Sequence, residues 1–146
     1  MIRFLLPICF VLPLLLHAVS VNDKDFGTAV AVVTSIYDGD TFRADIAGYP
    51  EIIGERIGIR INGIDTPEMR GKCDLEKALA RRAKEVTVSI LRSAKRVELH
   101  HMKRGKYFRI VADVFADGKS VAEALLEQGL AVPYDGGKKV RDWCRP

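Results

Sequence analysis

Hydrophobic positions in this chain follow two different periods. Residues 28–36 are dense in Val, Thr and Ala, and residues 41–46 alternate apolar and polar side chains after the break at Asp38-Gly39-Asp40. Beyond a loop through Gly48, Pro50 and Gly54, residues 56–61 place Ile57, Ile59 and Ile61 between charged or glycine positions. A period of two is the mark of a strand with one buried face. From residue 75 the period lengthens: Leu75, Leu79, Ala83, Val86 and Ile90 recur every three or four residues, with Lys77, Arg81, Arg82 and Lys84 between them. That predicts an amphipathic helix with a basic outer side. Two further strands are expected at residues 96–101 and 108–115, joined by the basic turn Lys103-Arg104-Gly105-Lys106. Asp117-Gly118 makes a turn, Ser120 and Glu123 form a capping box, and Gly129 suits the end of the short helix that follows. Three strands, a helix, two strands and a helix predict a β-rich α+β domain. Its architecture is a five-stranded OB-fold barrel, with one helix between strands 3 and 4 and a short helix after strand 5.

The first twenty residues share neither period. Arg3 precedes an unbroken apolar run over residues 4–16, and Ala18-Val19-Ser20 supplies small residues for cleavage. This is a secretory signal peptide over residues 1–20, followed by one domain over 21–146. Composition changes meaning accordingly. The hydrophobic fraction of 48% is inflated by the leader, and cleavage removes Arg3, which lowers the formal net charge from +4 to +3. Charge that small does not by itself imply a nucleic-acid partner. Of three cysteines, Cys9 leaves with the leader. Cys73 and Cys144 remain as an even pair in an exported chain, which predicts a disulfide. A secreted or periplasmic destination follows, as a monomer without lasting membrane association.

Three segments carry candidate chemistry. Asp38-Gly39-Asp40-Thr41 lies between two strands, and read alone is a turn. Arg60-Ile61-Asn62-Gly63-Ile64-Asp65-Thr66-Pro67-Glu68 spans a strand end and the loop after it, where Asp65 or Thr66 could equally cap a helix. Lys106-Tyr107-Phe108-Arg109 opens a strand after the basic turn. In this order and on this strand pattern, the chain resembles the staphylococcal nuclease family, whose barrel carries a DGDT segment, an R-x4-DTPE segment and a Y-G-R segment. The resemblance extends from about Thr28 to Tyr134.

What the resemblance implies is specific. Asp40 and Asp65 would be carboxylate ligands to Ca2+, with the Thr66 carbonyl as a third; hard oxygen donors suit that ion. Arg60 and Arg109 would hold the phosphate through planar, paired donors. Glu68 would hold and deprotonate the attacking water. Tyr107 and Tyr134 would contact bases by stacking. The expected activity is calcium-dependent endonucleolytic hydrolysis of DNA and RNA with low sequence specificity, leaving 3'-phosphate ends. The alternative is a non-catalytic OB module that binds nucleic acid or a protein partner. Three features depart from the family pattern: Phe108 stands where the family has glycine, the chain stops soon after Tyr134, and the cysteine pair has no counterpart in the cysteine-free prototype. His100-His101 is not expected to form a site, because neighbours on a strand face opposite ways.

Overall fold

The computed structural model describes residues 25–145, so the predicted signal peptide lies outside the described residues. Strands β1 (Ala29–Ile36), β2 (Thr41–Ile46) and β3 (Ile57–Ile61) form an antiparallel meander. Strands β5 (Val97–Arg104) and β6 (Arg109–Ala116) form a hairpin; β5 pairs with β1, and β6 pairs in parallel with β3. That last pairing closes a five-stranded barrel, the OB architecture. Its interior is filled as the alternation predicts, by Phe42, Ala44, Ile57, Ile59, Ile61, Leu99, Ala112 and Val114. Between β3 and β5 lie the two-residue strand β4 (Ile64–Asp65) and helix α2 (Asp74–Ser93). After β6 come β7 (Lys119–Ser120), helix α3 (Val121–Glu127) and β8 (Val132–Pro133), the partner of β4. Ser120 accepts the Glu123 amide as the N-cap of α3, and Gly129 follows the helix at φ +67°.

Three local readings differ from the structure. The loop after β2 contains a single helical turn, α1 (Glu51–Gly54), opened by Pro50, which fixes φ in the helical range. Strand β5 continues to Arg104 because of a bulge: two residues separate His100 from Lys103 on β5, where one separates their partners on β6. His101 takes φ +49° there, and the extra residue returns Met102 to the core. His101 pairs with Asp113 at 2.8 Å, while His100 packs on Phe115, so the two histidines serve different neighbours. In α2 the most buried stripe is Ala80, Ala83, Thr87 and Leu91, flanked by half-buried Leu79, Val86 and Ile90, whereas Leu75 faces solvent. The helix lies so close to the β1–β2 turn that small residues fit under it better than leucines.

Cys73 and Cys144 form a bonded pair with Cα atoms 5.9 Å apart, within the usual disulfide range. The bridge ties the tail to the start of α2, where Trp143 is also buried. Reduction is expected to cost roughly 4 kcal/mol, the chain-entropy value for a loop of this length. A thermal melt with and without reductant reads the drop, and coincident melts would exclude it. Among the described residues, no helix is long and apolar enough to cross a membrane.

Candidate active site

The β1–β2 turn is built inward. Asp38, Gly39 and Asp40 are all buried, although two of them are acids. Helix α2 holds the turn: the Thr87 hydroxyl donates to the Gly39 carbonyl at 2.7 Å. A Cβ on Gly39 would stand 2.8 Å from the Ala83 Cβ and 3.0 Å from Thr66, so only glycine permits this approach. The Asp38 carboxylate accepts the Asp40 amide at 3.2 Å.

Asp40 is the centre of the cluster. Its Oδ1 accepts the Thr41 hydroxyl at 2.9 Å and forms an ion pair with Arg60, while its Oδ2 accepts the Thr66 amide at 3.1 Å. Arg60 reaches Asp40 because β3 pairs with β2 so that Thr41 stands opposite Arg60. Its second terminal nitrogen donates to the Ile64 carbonyl at 3.2 Å and lies 3.5 Å from Asp65. Burial works against the Arg60 charge, but Asp40, Asp65 and Asp38 outweigh it and hold the guanidinium above its usual range. The β4–β8 pair positions Asp65, and the Tyr134 ring lies 5.9 Å from the Arg60 guanidinium.

Negative charge exceeds what Arg60 can balance. Burial, then the charge of Asp40, push the Asp38 carboxyl up to about 7. An unfolded aspartate titrates near 4. The folded state therefore prefers the protonated form, and ionisation costs stability progressively as pH rises from about 4 to about 7. Asp38→Asn is expected to raise the melting temperature above pH 7 and leave it unchanged at pH 4. A gain of equal size at both pH values would contradict this.

Glu68 lies at the rim. Its amide donates to the buried Glu76 carboxylate at 3.3 Å, and the Lys72 amide donates to the other oxygen at 2.8 Å. Glu76 thereby shapes the 67–72 loop from the first turn of α2, and a Cβ on Gly71 would fall 2.5 Å from it. The tail supplies a group that sequence reasoning missed. Lys139 Nζ is 2.7 Å from Asp65 Oδ1 and 2.5 Å from Glu68 Oε1. Burial disfavours its charge, but hydrogen bonds to Asp65 and Glu68 raise its pKa overall, so it stays an ammonium.

The structure thus brings together Asp40, Arg60, Asp65, Thr66, Glu68 and Tyr134. Arg109 is on the same outer face of the barrel but two residues further along, opposite Gly58. Its Nε donates to the Lys106 carbonyl at 3.4 Å and its guanidinium lies 5.5 Å from the Tyr107 ring. Tyr107 stands at the tip of the β5–β6 hairpin, 87% exposed. Both carboxylates assigned to the cation already face positive charge, Asp40 that of Arg60 and Asp65 that of Lys139, which Asp65 shares with Glu68. Their hard oxygen donors are of the type that fits a divalent cation.

Fold and site together describe a small OB barrel with buried acids and an arginine on one flank. A family model described as staphylococcal nuclease homologue matches residues 58–142, and the chain belongs to that family. A relative named "Probable endonuclease" from Schizosaccharomyces pombe is 28% identical, over 83% of this chain and 62% of its own length. "Probable staphylococcal-like nuclease CAN1" from Oryza sativa is 25% identical, over 82% of this chain and 35% of its own. "Succinoglycan biosynthesis protein ExoI" from Rhizobium meliloti is 32% identical, over 79% of this chain and 59% of its own. The chain thus spans between a third and two thirds of these relatives.

Proposed function

We propose that this protein is an exported, calcium-dependent nuclease that hydrolyses phosphodiester bonds of DNA and RNA with little sequence preference, working in a secreted or periplasmic setting. The observation that carries this reading is the convergence of Asp40, Arg60, Asp65 and Glu68 on one flank of the barrel. Names of the Schizosaccharomyces pombe and Oryza sativa relatives point the same way.

Asp40 and Asp65 would hold Ca2+, which when bound would polarise the phosphate as a Lewis acid. Arg60, fixed by Asp40 and the Ile64 carbonyl, presents donors where charge builds on the phosphoryl oxygens. Arg109 would reach the same group from β6. Glu68 holds a water by its exposed oxygen and takes its proton as oxygen attacks phosphorus. The bond to the 5' oxygen then breaks, leaving a 3'-phosphate, and the departing oxygen takes a proton from solvent water to end as a 5'-hydroxyl. Incubating the purified protein with single-stranded DNA or RNA, with calcium or with chelator, tests the reading. Cutting only with calcium is expected, and inertness in every condition would retire it.

Lys139 adds a consequence. Lys139 would have to leave Asp65 for that carboxylate to hold a cation, and its contact with Asp65 and Glu68, with Lys139 and Glu68 about half exposed, is worth about 1 kcal/mol. Lys139→Met should therefore tighten calcium binding about fivefold by calorimetry. Unchanged affinity would mean that the lysine does not compete.

A further inference from the structure

The outer face of β2, β3 and the β5–β6 hairpin forms a groove of about 760 Å³, with Tyr107 and Arg109 in its lining. Its floor is Gly58. Pairing register places Arg43 on one side of Gly58 and Arg109 on the other. A Cβ on Gly58 would stand 2.9 Å from the Arg109 side chain, so the glycine keeps the floor open. This row lies two residues from the row of Thr41 and Arg60, about 7 Å along the strands. One nucleotide step of an extended strand covers such a distance. Thr41 belongs to both places: it lines the groove and donates its hydroxyl to Asp40.

The walls combine charge with flat apolar surface. Arg43, Arg56 and Arg109 line the groove against a single acid, Glu55. Arg43 is oriented by a hydrogen bond to the Arg56 carbonyl at 3.1 Å. Tyr37 and Phe108 line it and are 55% and 54% exposed to solvent. Phe108 is held there at a cost. Tyr107 and Phe108 both take φ +57°, a left-handed pair at a hairpin tip where Asn-Gly would sit without strain. The hairpin packs neither ring into the core: the Arg104 guanidinium lies over one face of Phe108 at 4.1 Å, and the ring stays about half exposed. Arginines between exposed rings suit a polyanion with unpaired aromatic faces. A duplex conceals those faces in its stack.

We propose that this groove is a polynucleotide subsite for unpaired nucleotides flanking the scissile phosphate, with Arg43 and Arg56 on their phosphates and Tyr37 and Phe108 against their bases. The inference rests on the nuclease reading and adds residues to it. Binding of labelled oligothymidylate, measured by fluorescence polarisation in chelator so that no turnover intervenes, tests it directly. For a strand of about twelve nucleotides, Tyr37→Ala with Phe108→Gly should weaken binding roughly tenfold or more. Arg43→Gln with Arg56→Gln should weaken it and lower the salt slope by about 1.4, the value for two lost phosphate contacts on a single strand. Hydrolysis of a nitrophenyl phosphodiester of thymidine, too short to enter the groove, should be unchanged in both variants. Phe108→Gly alone should raise the melting temperature, which separates lost binding from lost folding. Wild-type binding by the ring variant, or an equal loss on a matched duplex, would overturn the proposal. If wild-type protein with calcium failed to hydrolyse the diester, the nuclease reading would fall, and the binding comparison would still decide the groove.

Discussion

Glu68→Gln is expected to slow phosphodiester cleavage by about 10²–10⁴-fold, the usual contribution of a positioned general base. Glutamine keeps the length of the side chain and a carbonyl oxygen that can still accept a hydrogen bond from water. It cannot take the proton. The fold should barely notice, because the Glu68 side chain is mostly exposed and the loop beneath is held by main-chain amides on Glu76, not by Glu68 itself. Melting temperature should therefore remain within a degree or two of wild type while turnover collapses, a shift consistent with a loss under 1 kcal/mol. The measurement is a turnover rate on single-stranded DNA at saturating calcium. A loss below about tenfold would make Glu68 a holder of water and not its base.

The barrel could be read from the sequence because β2, β3 and β6 alternate, and Ile57, Ile59 and Ile61 enter the core as the pattern requires. Alternation failed where geometry does. Leu99 and Met102 both point inward, three residues apart, because the bulge at His101 absorbs one position, so β5 read as ending early. On α2 the stripe Leu79, Ala83, Val86 and Ile90 does pack on the core, but the deepest positions lie beside it, at Ala80, Thr87 and Leu91. Apolar size marks a helix face that meets side chains, but this face meets the backbone of the Gly39 turn, and closeness demanded Ala83 and Thr87.

Site residues that lie in short motifs were legible as candidates, since Arg60, Asp65 and Glu68 fall within nine positions of one another. Lys139 was not. It stands 71 residues after Glu68, in a stretch of glycines and lysines that reads as a solvated turn. Only the tertiary anchors at Cys144 and Trp143 bring it over the acids. Glu76 was hidden differently: a glutamate in the first turn of a helix is ordinary, and nothing local reveals that it faces inward to cap the 67–72 loop. Phe108 stands where the family has glycine, and its backbone takes φ +57°, a conformation that glycine would adopt without strain.

Two conservative substitutions at the carboxylates assigned to the cation should separate chemistry from scaffolding. Asp40→Asn and Asp65→Asn are both expected to lower calcium affinity and cleavage by at least about 10²-fold, since each removes an anionic oxygen where positive charge must bind. Their stabilities should diverge. Asp40 is buried and forms the ion pair that neutralises Arg60, whose side chain is 17% exposed. Breaking a buried pair by neutralising one partner costs about 3–5 kcal/mol, because the other charge is left without compensation. Part of that loss is returned by Asp38, which no longer faces a second carboxylate and lies close enough to support Arg60. Asp65 differs, because its nearest cation is Lys139, about half exposed and free to turn back into water. Melting curves recorded in chelator should therefore place Asp40→Asn well below wild type and Asp65→Asn close to it. Equal destabilisation by the two would mean that Asp40 and Asp65 share the Arg60 charge evenly and that the close pair with Asp40 does not dominate the cluster.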